Sequence, residues 1–106
     1  MSVTNSAVYT KDGAVFATAQ EAWDDKNSLY GPGLQQAVDD CFAQMLLDGV
    51  LLEPVYPTWD QATYTLTIVK HVSSIEAYNA AVTFNVQAVV ADAAAAGWTF
   101  IRVTTI

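Results

Sequence analysis

The sequence is short of positively charged side chains. It has four of them against 11 acids, for a formal net charge of −7. They are Lys11, Lys26, Lys70 and Arg102. Nucleic-acid binding depends on clustered Lys and Arg that neutralise phosphates. Four positions scattered along the chain do not form such a cluster, so we predict no nucleic-acid partner.

Cysteine and long apolar runs are also scarce. The single cysteine, Cys41, excludes an internal disulfide framework and a multi-cysteine metal site, and we expect no metal and no cofactor. No apolar run reaches the roughly 18 residues of a membrane span, and the first residues do not resemble a secretion signal. These absences predict a soluble protein with no membrane partner, located in the cytoplasm (of a host cell, or in a virion, if the source is viral).

Apolar residues are abundant. Hydrophobic residues make up 53% of the 106 positions and charged residues only 14%, below the roughly 25% of an average soluble domain. Such a composition excludes disorder and predicts a single domain over residues 1–106. It also leaves more apolar surface than a small monomer easily hides, so we expect a homo-oligomer, most simply a dimer.

The N-terminal third contains one strand signal and one helix signal. Residues 6–18 predict two short strands around a Lys-Asp-Gly turn, or one strand with a bulge at Gly13. Thr18 and Glu21 have the spacing of a capping box, which predicts a helix that ends near Tyr30.

The middle of the chain contains the clearest helix. Residues 33–49 carry an apolar stripe at three- and four-residue spacing that includes Cys41, and Gly49 is placed to end the helix. Residues 50–56 predict an edge strand because they contain a proline, and residues 57–61 predict a turn.

Residues 63–72 alternate as a strand does. Tyr64, Leu66, Ile68 and Val72 share one face with Lys70, and Thr63, Thr65, Thr67, Val69 and His71 share the other. Ser73 and Glu76 then form a second capping-box pattern. The helix that follows extends to Ala96 or breaks near residues 83–85, and residues 98–106 predict the last strand.

This order is βαββαβ, the split pattern of the ferredoxin-like group. It predicts an α+β fold with a mostly antiparallel sheet and helices on one face. The other face is left open, and it carries threonines mixed with apolar side chains.

No catalytic constellation is visible in the sequence. Cys41 has apolar neighbours and is expected in the core, whereas His71, on the threonine face, lacks an evident acid–base partner. A convergence of Lys70 and Arg102 on an anion is a further possibility. We select six candidates for ligand binding or an interface, and none for catalysis: Trp59, Thr65, Thr67, Val69, His71 and Phe84.

Residues 63–78 and the element order resemble the dimeric α+β barrel superfamily, which includes antibiotic-biosynthesis-monooxygenase-like domains. In that group a strand leads into a helix with a small motif that Ser74, Glu76 and Ala77 match. The resemblance implies a homodimer whose sheets face one another, with a cavity in each subunit. The motif builds the barrel and is not catalytic, so it assigns no active-site residue here.

Two functions follow from these observations. The first is a non-catalytic binding or assembly protein that forms a homo-oligomer through its open sheet face. Its lysine-poor composition suits a viral or phage protein, either a virion component or an inhibitor of a host protein. The alternative is a cofactor-independent monooxygenase-like or other small-ligand enzyme, which predicts a cavity on the order of a few hundred Å³ next to His71.

Overall fold

Strands and helices follow one another in the ferredoxin-like order. The computed structural model describes residues 2–106. The elements are β1 (Val3–Thr10), α1 (Ala19–Lys26), α2 (Pro32–Leu47), β2 (Tyr56–Asp60), β3 (Thr65–Val72), α3 (Ile75–Ala81), α4 (Val86–Ala95) and β4 (Thr99–Thr105). None of these helices is both long enough and apolar enough to cross a membrane.

The four strands form one antiparallel sheet in the order β2-β3-β1-β4. The helices cover one face of it, which confirms the predicted α+β, ferredoxin-like fold. Residues that pair across strands share a face, so the pairs Asn5–Lys70 and Tyr9–Leu66 lie on the helix-covered face. The pairs on either side of them, such as Thr4–His71, lie on the open face.

Side-chain caps start α1, α3 and α4, whereas α2 begins after Gly31 without one. The hydroxyl of Thr18 accepts a hydrogen bond from the backbone N–H of Glu21 at 3.1 Å, which confirms the first predicted cap. The second cap is one residue later than predicted. Ser74, not Ser73, accepts from the backbone N–H of Ala77 at 3.1 Å, because the backbone of Ser73 still pairs with residue 50.

The C-terminal helical region is broken, which selects one of the two predicted alternatives. Helix α3 ends at Ala81, and Val82 is extended with ψ 118°. A new cap then starts α4, as the side chain of Asn85 accepts from the backbone N–H of Ala88 at 3.0 Å. The break leaves a loop that contains Phe84.

Three local predictions are wrong. β1 ends at Thr10 and a turn follows in which Gly13 has φ +76°, but residues 14–18 form no second strand. Residues 50–55 contribute a single bridge, Leu51 to Val72. The edge strand is β2, which includes most of the predicted turn. The strand lies later in the chain than predicted because Trp59 belongs to it. β2 pairs with β3 along its length, and the Trp59 indole packs against the core.

The core is divided into two clusters on the helix-covered face. One surrounds the indole of Trp98 and consists of Tyr9, Ala22, Leu66, Ile68, Ala93 and Trp98. The other lies beneath α2 and consists of Cys41, Met45, Leu51 and Val72. As predicted, Cys41 is buried in the core, where its thiol lies 3.3 Å from the carbonyl oxygen of Ala81.

Candidate functional site

A cavity of about 460 Å³ lies between the sheet and the helices. Side chains of both core clusters, or packed against them, line it, and all four helices contribute to its wall. The sheet side of the wall is formed by Asn5, Ala7, Tyr9, Ile68, Lys70, Phe100 and Val103. Ala7, on the inner strand β1, has the smallest side chain on this side of the wall.

Lys70 enters this cavity from the sheet. Strand alternation places it on the same face as Leu66 and Ile68, and only 5% of its surface is exposed. Its Nζ lies 5.8 Å from the centre of the Tyr78 ring on α3. An amine is thus buried among apolar and aromatic groups of the cavity wall.

Lys26 enters the same cavity from the last turn of α1 and is 4% exposed. Its Nζ donates to the hydroxyl of Tyr30 at 2.8 Å and to Oδ1 of Asn27 at 3.2 Å. The ammonium also lies 4.8 Å from the ring centre of Tyr9 and 5.2 Å from that of Tyr30. Aromatic faces attract cations at such distances, so this amine is fixed in place.

Neither buried lysine has an acidic partner. Within residues 2–106 the contacts between basic and acidic side chains are those of Lys11 with Asp25 and of His71 with Glu53. Asp39 lines the cavity, but it is exposed and accepts a hydrogen bond from Gln35 at 2.9 Å. Neither amine of the cavity therefore forms an ion pair within residues 2–106.

This environment changes the acidity of both amines. Burial lowers the pKa of Lys70 from 10.5 to about 8. Burial, with a smaller contribution from the nearby Lys70 charge, lowers the pKa of Lys26 to about 8 as well. Near neutral pH each of these amines is neutral in a fraction of the molecules, whereas an ordinary lysine is almost fully protonated.

Three tyrosines surround the amines and keep their protons. Burial raises the pKa of Tyr9 and of Tyr78 to about 12, and the nearby Cys41 and Tyr9 add to the effect at Tyr78. Burial and, to a smaller extent, Tyr9 and Asp92 raise the pKa of Tyr30. Around neutral pH these groups are neutral hydroxyls, which do not neutralise the charge of the lysines, and that of Tyr30 accepts the hydrogen bond from Lys26.

The rest of the wall is apolar. The rings of Phe42 and Phe84 meet edge to face with their centres 5.7 Å apart, and both line the cavity. Val86 on α4 and Val103 on β4 also line it and are 52% and 53% exposed. These two valines mark an apolar mouth between α4 and β4.

The six predicted candidates do not form one site. Thr65, Thr67, Val69 and His71 lie on the open face of the sheet, as their alternation predicts. Trp59 lies on the helix-covered face, half-buried, with its ring centre 5.1 Å from that of Phe16 and 5.8 Å from that of Trp98. Of the six, only Phe84 reaches the cavity.

His71 has more partners than the sequence indicates. Its Nδ1 lies 3.0 Å from the hydroxyl of Thr4, and its Nε2 lies 3.1 Å from the hydroxyl of Tyr56 and 3.1 Å from Oε1 of Glu53. This cluster is on the open face, so the cavity is not next to His71, contrary to what the enzyme alternative predicts. No group of three His, Cys, Asp or Glu side chains in residues 2–106 is arranged to hold a metal ion.

The further possibility, a convergence of Lys70 with Arg102, does not occur. Arg102 pairs with Val8, on the open face, whereas Lys70 pairs with Asn5 on the covered face. The second lysine of the cavity, Lys26, belongs to a polar helix and gives no sequence signal. Lys70 does give one, because it interrupts an otherwise apolar strand face.

No protein-family model matches the chain, and no curated protein matches its sequence. The resemblance to dimeric α+β barrels stays a prediction.

Proposed function

We propose that the protein binds a small organic anion with an aromatic or branched apolar body in the cavity between sheet and helices. The observation that carries this proposal is the pair Lys26 and Lys70. Two of the four positive side chains of the chain face one cavity and have no acidic partner within residues 2–106. A buried charge without a partner costs free energy, and a bound anion would offset that cost.

The size and the lining of the cavity support the same class of ligand. Its volume of about 460 Å³ lies within the roughly 300–1,000 Å³ of small-molecule sites, which are mainly apolar with a few placed polar groups. Here the Phe42 and Phe84 rings supply the apolar wall, and the two amines with the surrounding hydroxyls supply the polar groups. A carboxylate at the amines with a ring against the phenylalanines would use both parts.

Calorimetric titration with phenyllactate, and with its uncharged amide as the matched ligand, tests the proposal. We expect phenyllactate to bind, and the amide to bind at least about ten-fold more weakly, because a charge-assisted hydrogen bond contributes roughly 1.5–3 kcal/mol. Lys26→Met should weaken phenyllactate binding by a similar factor.

Arg102→Met is the control variant. It removes the same formal charge as Lys26→Met, but from the open face of the sheet, and it should leave phenyllactate binding unchanged. Equal binding of acid and amide, or equal losses in both variants, would show that long-range charge or apolar contact alone is responsible. Either result would overturn the proposal.

Self-assembly through the open face of the sheet is a second candidate. It is supported by the helices being confined to the other face and by Tyr56, which is 39% exposed beside Val69. In this reading a homodimer covers the threonines of β1 and β3, and another protein is the alternative occupant. The viral or phage source, the role as a virion component or inhibitor, and the location in cytoplasm or virion stay predictions.

Light scattering coupled to size-exclusion chromatography tests the assembly. The wild-type protein should be a dimer at micromolar concentration, and Thr67→Glu, which places a charge on the open face, should be a monomer. Gln87→Glu adds the same charge to an exposed position of α4 and should leave the dimer intact. A wild-type monomer would exclude assembly through this face.

A further inference from the structure

The two cavity lysines differ in what holds their amines. Nζ of Lys26 donates to Tyr30 and Asn27, whereas Nζ of Lys70 has no hydrogen bond within residues 2–106. No fully buried side-chain nitrogen or oxygen in that part of the chain lacks a partner, so the unpartnered Nζ of Lys70 must be an accessible atom. The space to which it is open is the cavity that it lines.

We propose that Lys70 forms a reversible imine with the carbonyl group of a 2-oxo acid bound in this cavity. The inference rests on the proposed anion binding and names the chemical class of the ligand. Lys26, held by its two hydrogen bonds, is the cation that receives the carboxylate. Lys70 is the amine that reaches the neighbouring carbonyl carbon.

The position of Lys70 suits a nucleophile. Lysines that attack carbonyl groups are activated by an apolar pocket or by a second cation, because both favour the neutral amine. Lys70 has the first of these in its burial among apolar groups, and Lys26 lines the same cavity. The lowered pKa of Lys70, about 8, agrees with this arrangement.

The reaction needs no redox partner. The lone pair of the neutral amine forms a bond to the carbonyl carbon, and the π electrons of the C=O bond move to its oxygen, which takes a proton. The nitrogen gives up its first proton, the hydroxyl takes a second proton and departs as water as the C=N bond forms, and the nitrogen then gives up its second proton. One amine and one carbonyl therefore give one imine and one water, and hydrolysis reverses the step.

The 2-oxo acid class follows from the arrangement of both amines in one cavity. An aldehyde or ketone without a carboxylate would leave the Lys26 charge uncompensated, and a carboxylate without a carbonyl would leave Lys70 without a reaction. The apolar wall that contains Phe42 and Phe84 fits an aromatic or branched side chain on the oxo acid. Phenylpyruvate combines these three features.

Reductive trapping with phenylpyruvate and cyanoborohydride, followed by peptide mass mapping, tests the imine. The chain has three lysines, Lys11, Lys26 and Lys70, so the labelling is an internal competition. At about pH 7.5, an amine with a pKa near 8 has roughly a hundred times more free base than an ordinary lysine. We expect at least about ten-fold more label on Lys70 than on Lys11, which is ion-paired with Asp25.

Phenyllactate and one variant make the result specific. Phenyllactate carries the same ring and carboxylate but has no carbonyl, so it should suppress the labelling of Lys70 without being trapped. Lys70→Arg keeps a positive charge but cannot form an imine. It should still bind phenyllactate, and its circular dichroism shows whether it folds as the wild type does.

The outcomes separate the two proposals. Preferential Lys70 labelling that phenyllactate suppresses supports both. Phenyllactate binding with equal label on Lys11 and Lys70, or with most label on Lys26, overturns the imine and leaves anion binding intact. Absence of phenyllactate binding to the wild-type protein overturns anion binding, and with it the imine with a 2-oxo acid.

Discussion

Lys26 and Lys70 face one cavity from the two layers of the fold, one from helix α1 and the other from strand β3, and at most 5% of either residue is exposed. Proteins seldom bury lysine without a partner because the charged form loses its hydration. Functional sites are where such costs are tolerated. The pair should therefore lower the stability of the free protein, and this can be measured.

Replacing Lys70 by methionine should stabilise the protein at pH 7. Methionine fills much of the same volume and removes a buried charge that has no partner. A pKa lowered from 10.5 to about 8 corresponds to a penalty on the order of 3 kcal/mol for the charged form, so we expect a gain of roughly 2 kcal/mol in the free energy of unfolding by urea.

Lys11→Met is the comparison for that measurement. Lys11 donates to Asp25 at 2.6 Å and lies over the Trp98 ring, so its loss should be neutral or slightly destabilising. A Lys70→Met variant that is less stable than the wild type would contradict the argument that the cavity charge is uncompensated.

Stability should rise with pH above about pH 8. The folded-state pKa values of Lys26 and Lys70, about 8, lie below the 10.5 of the unfolded chain. Between these values the unfolded state binds more protons, and the free energy of unfolding therefore increases with pH, by at most about 1.4 kcal/mol per pH unit for each lysine. Below about pH 8 both states are charged and the contribution is constant.

Urea titrations between about pH 7 and pH 9.5 measure this slope. The range stops below the ordinary tyrosine pKa of 10, because the raised values of Tyr9 and Tyr78 reverse the sign above it. The double variant with methionine at positions 26 and 70 removes the two amines while keeping the other titrating groups. Its slope should be smaller than that of the wild type, and equal slopes would mean that other groups cause the pH dependence.

The fold was predictable to a large extent, because it depends on local signals. Alternation in β3 correctly places Leu66, Ile68 and Lys70 on one face and His71 on the other. The cavity was not predictable, because side chains from the sheet and from all four helices line it. The shape of this cavity depends on how the four helices pack. Lys26 reaches it from α1, which has no apolar stripe to predict which face of the helix turns toward the sheet.

The position of the second helix cap shows where local sequence patterns no longer decide the structure. Ser73 and Ser74 are adjacent, and both precede a helix. The three-residue spacing to Glu76 favours Ser73, but pairing of the Ser73 backbone with Val50 keeps that residue at the end of the sheet region. A tertiary hydrogen bond thus decides between two local patterns of similar strength.

Ser74→Ala should destabilise the protein by about 1 kcal/mol, the usual cost of losing an N-cap. Ser73→Ala makes the same chemical change one residue earlier, where the side chain caps no helix, and should cost much less. Urea unfolding of the two variants checks the order. Equal losses, or a larger loss for Ser73→Ala, would contradict the capping geometry at 3.1 Å between the Ser74 hydroxyl and the Ala77 N–H.

Ala7→Leu should fill part of the cavity and leave the fold intact. Ala7 lies on the sheet side of the cavity wall, and the added carbons would occupy space that a ligand needs while leaving the hydrogen bonds of Lys26 in place. Overpacking a filled core usually costs about 1–3 kcal/mol, but here the side chain enters a void, so the free energy of unfolding should change by less than about 1 kcal/mol.

Phenyllactate binding to Ala7→Leu should fall at least about ten-fold, as expected for loss of the space that holds the ring. Val8→Leu enlarges the neighbouring residue of the same strand toward the open face and is the matched control, with phenyllactate affinity expected to be unchanged. If Ala7→Leu binds phenyllactate as the wild type does, the ligand sits elsewhere on the molecule. The two buried lysines would then need a different explanation, because the space into which they point would be filled.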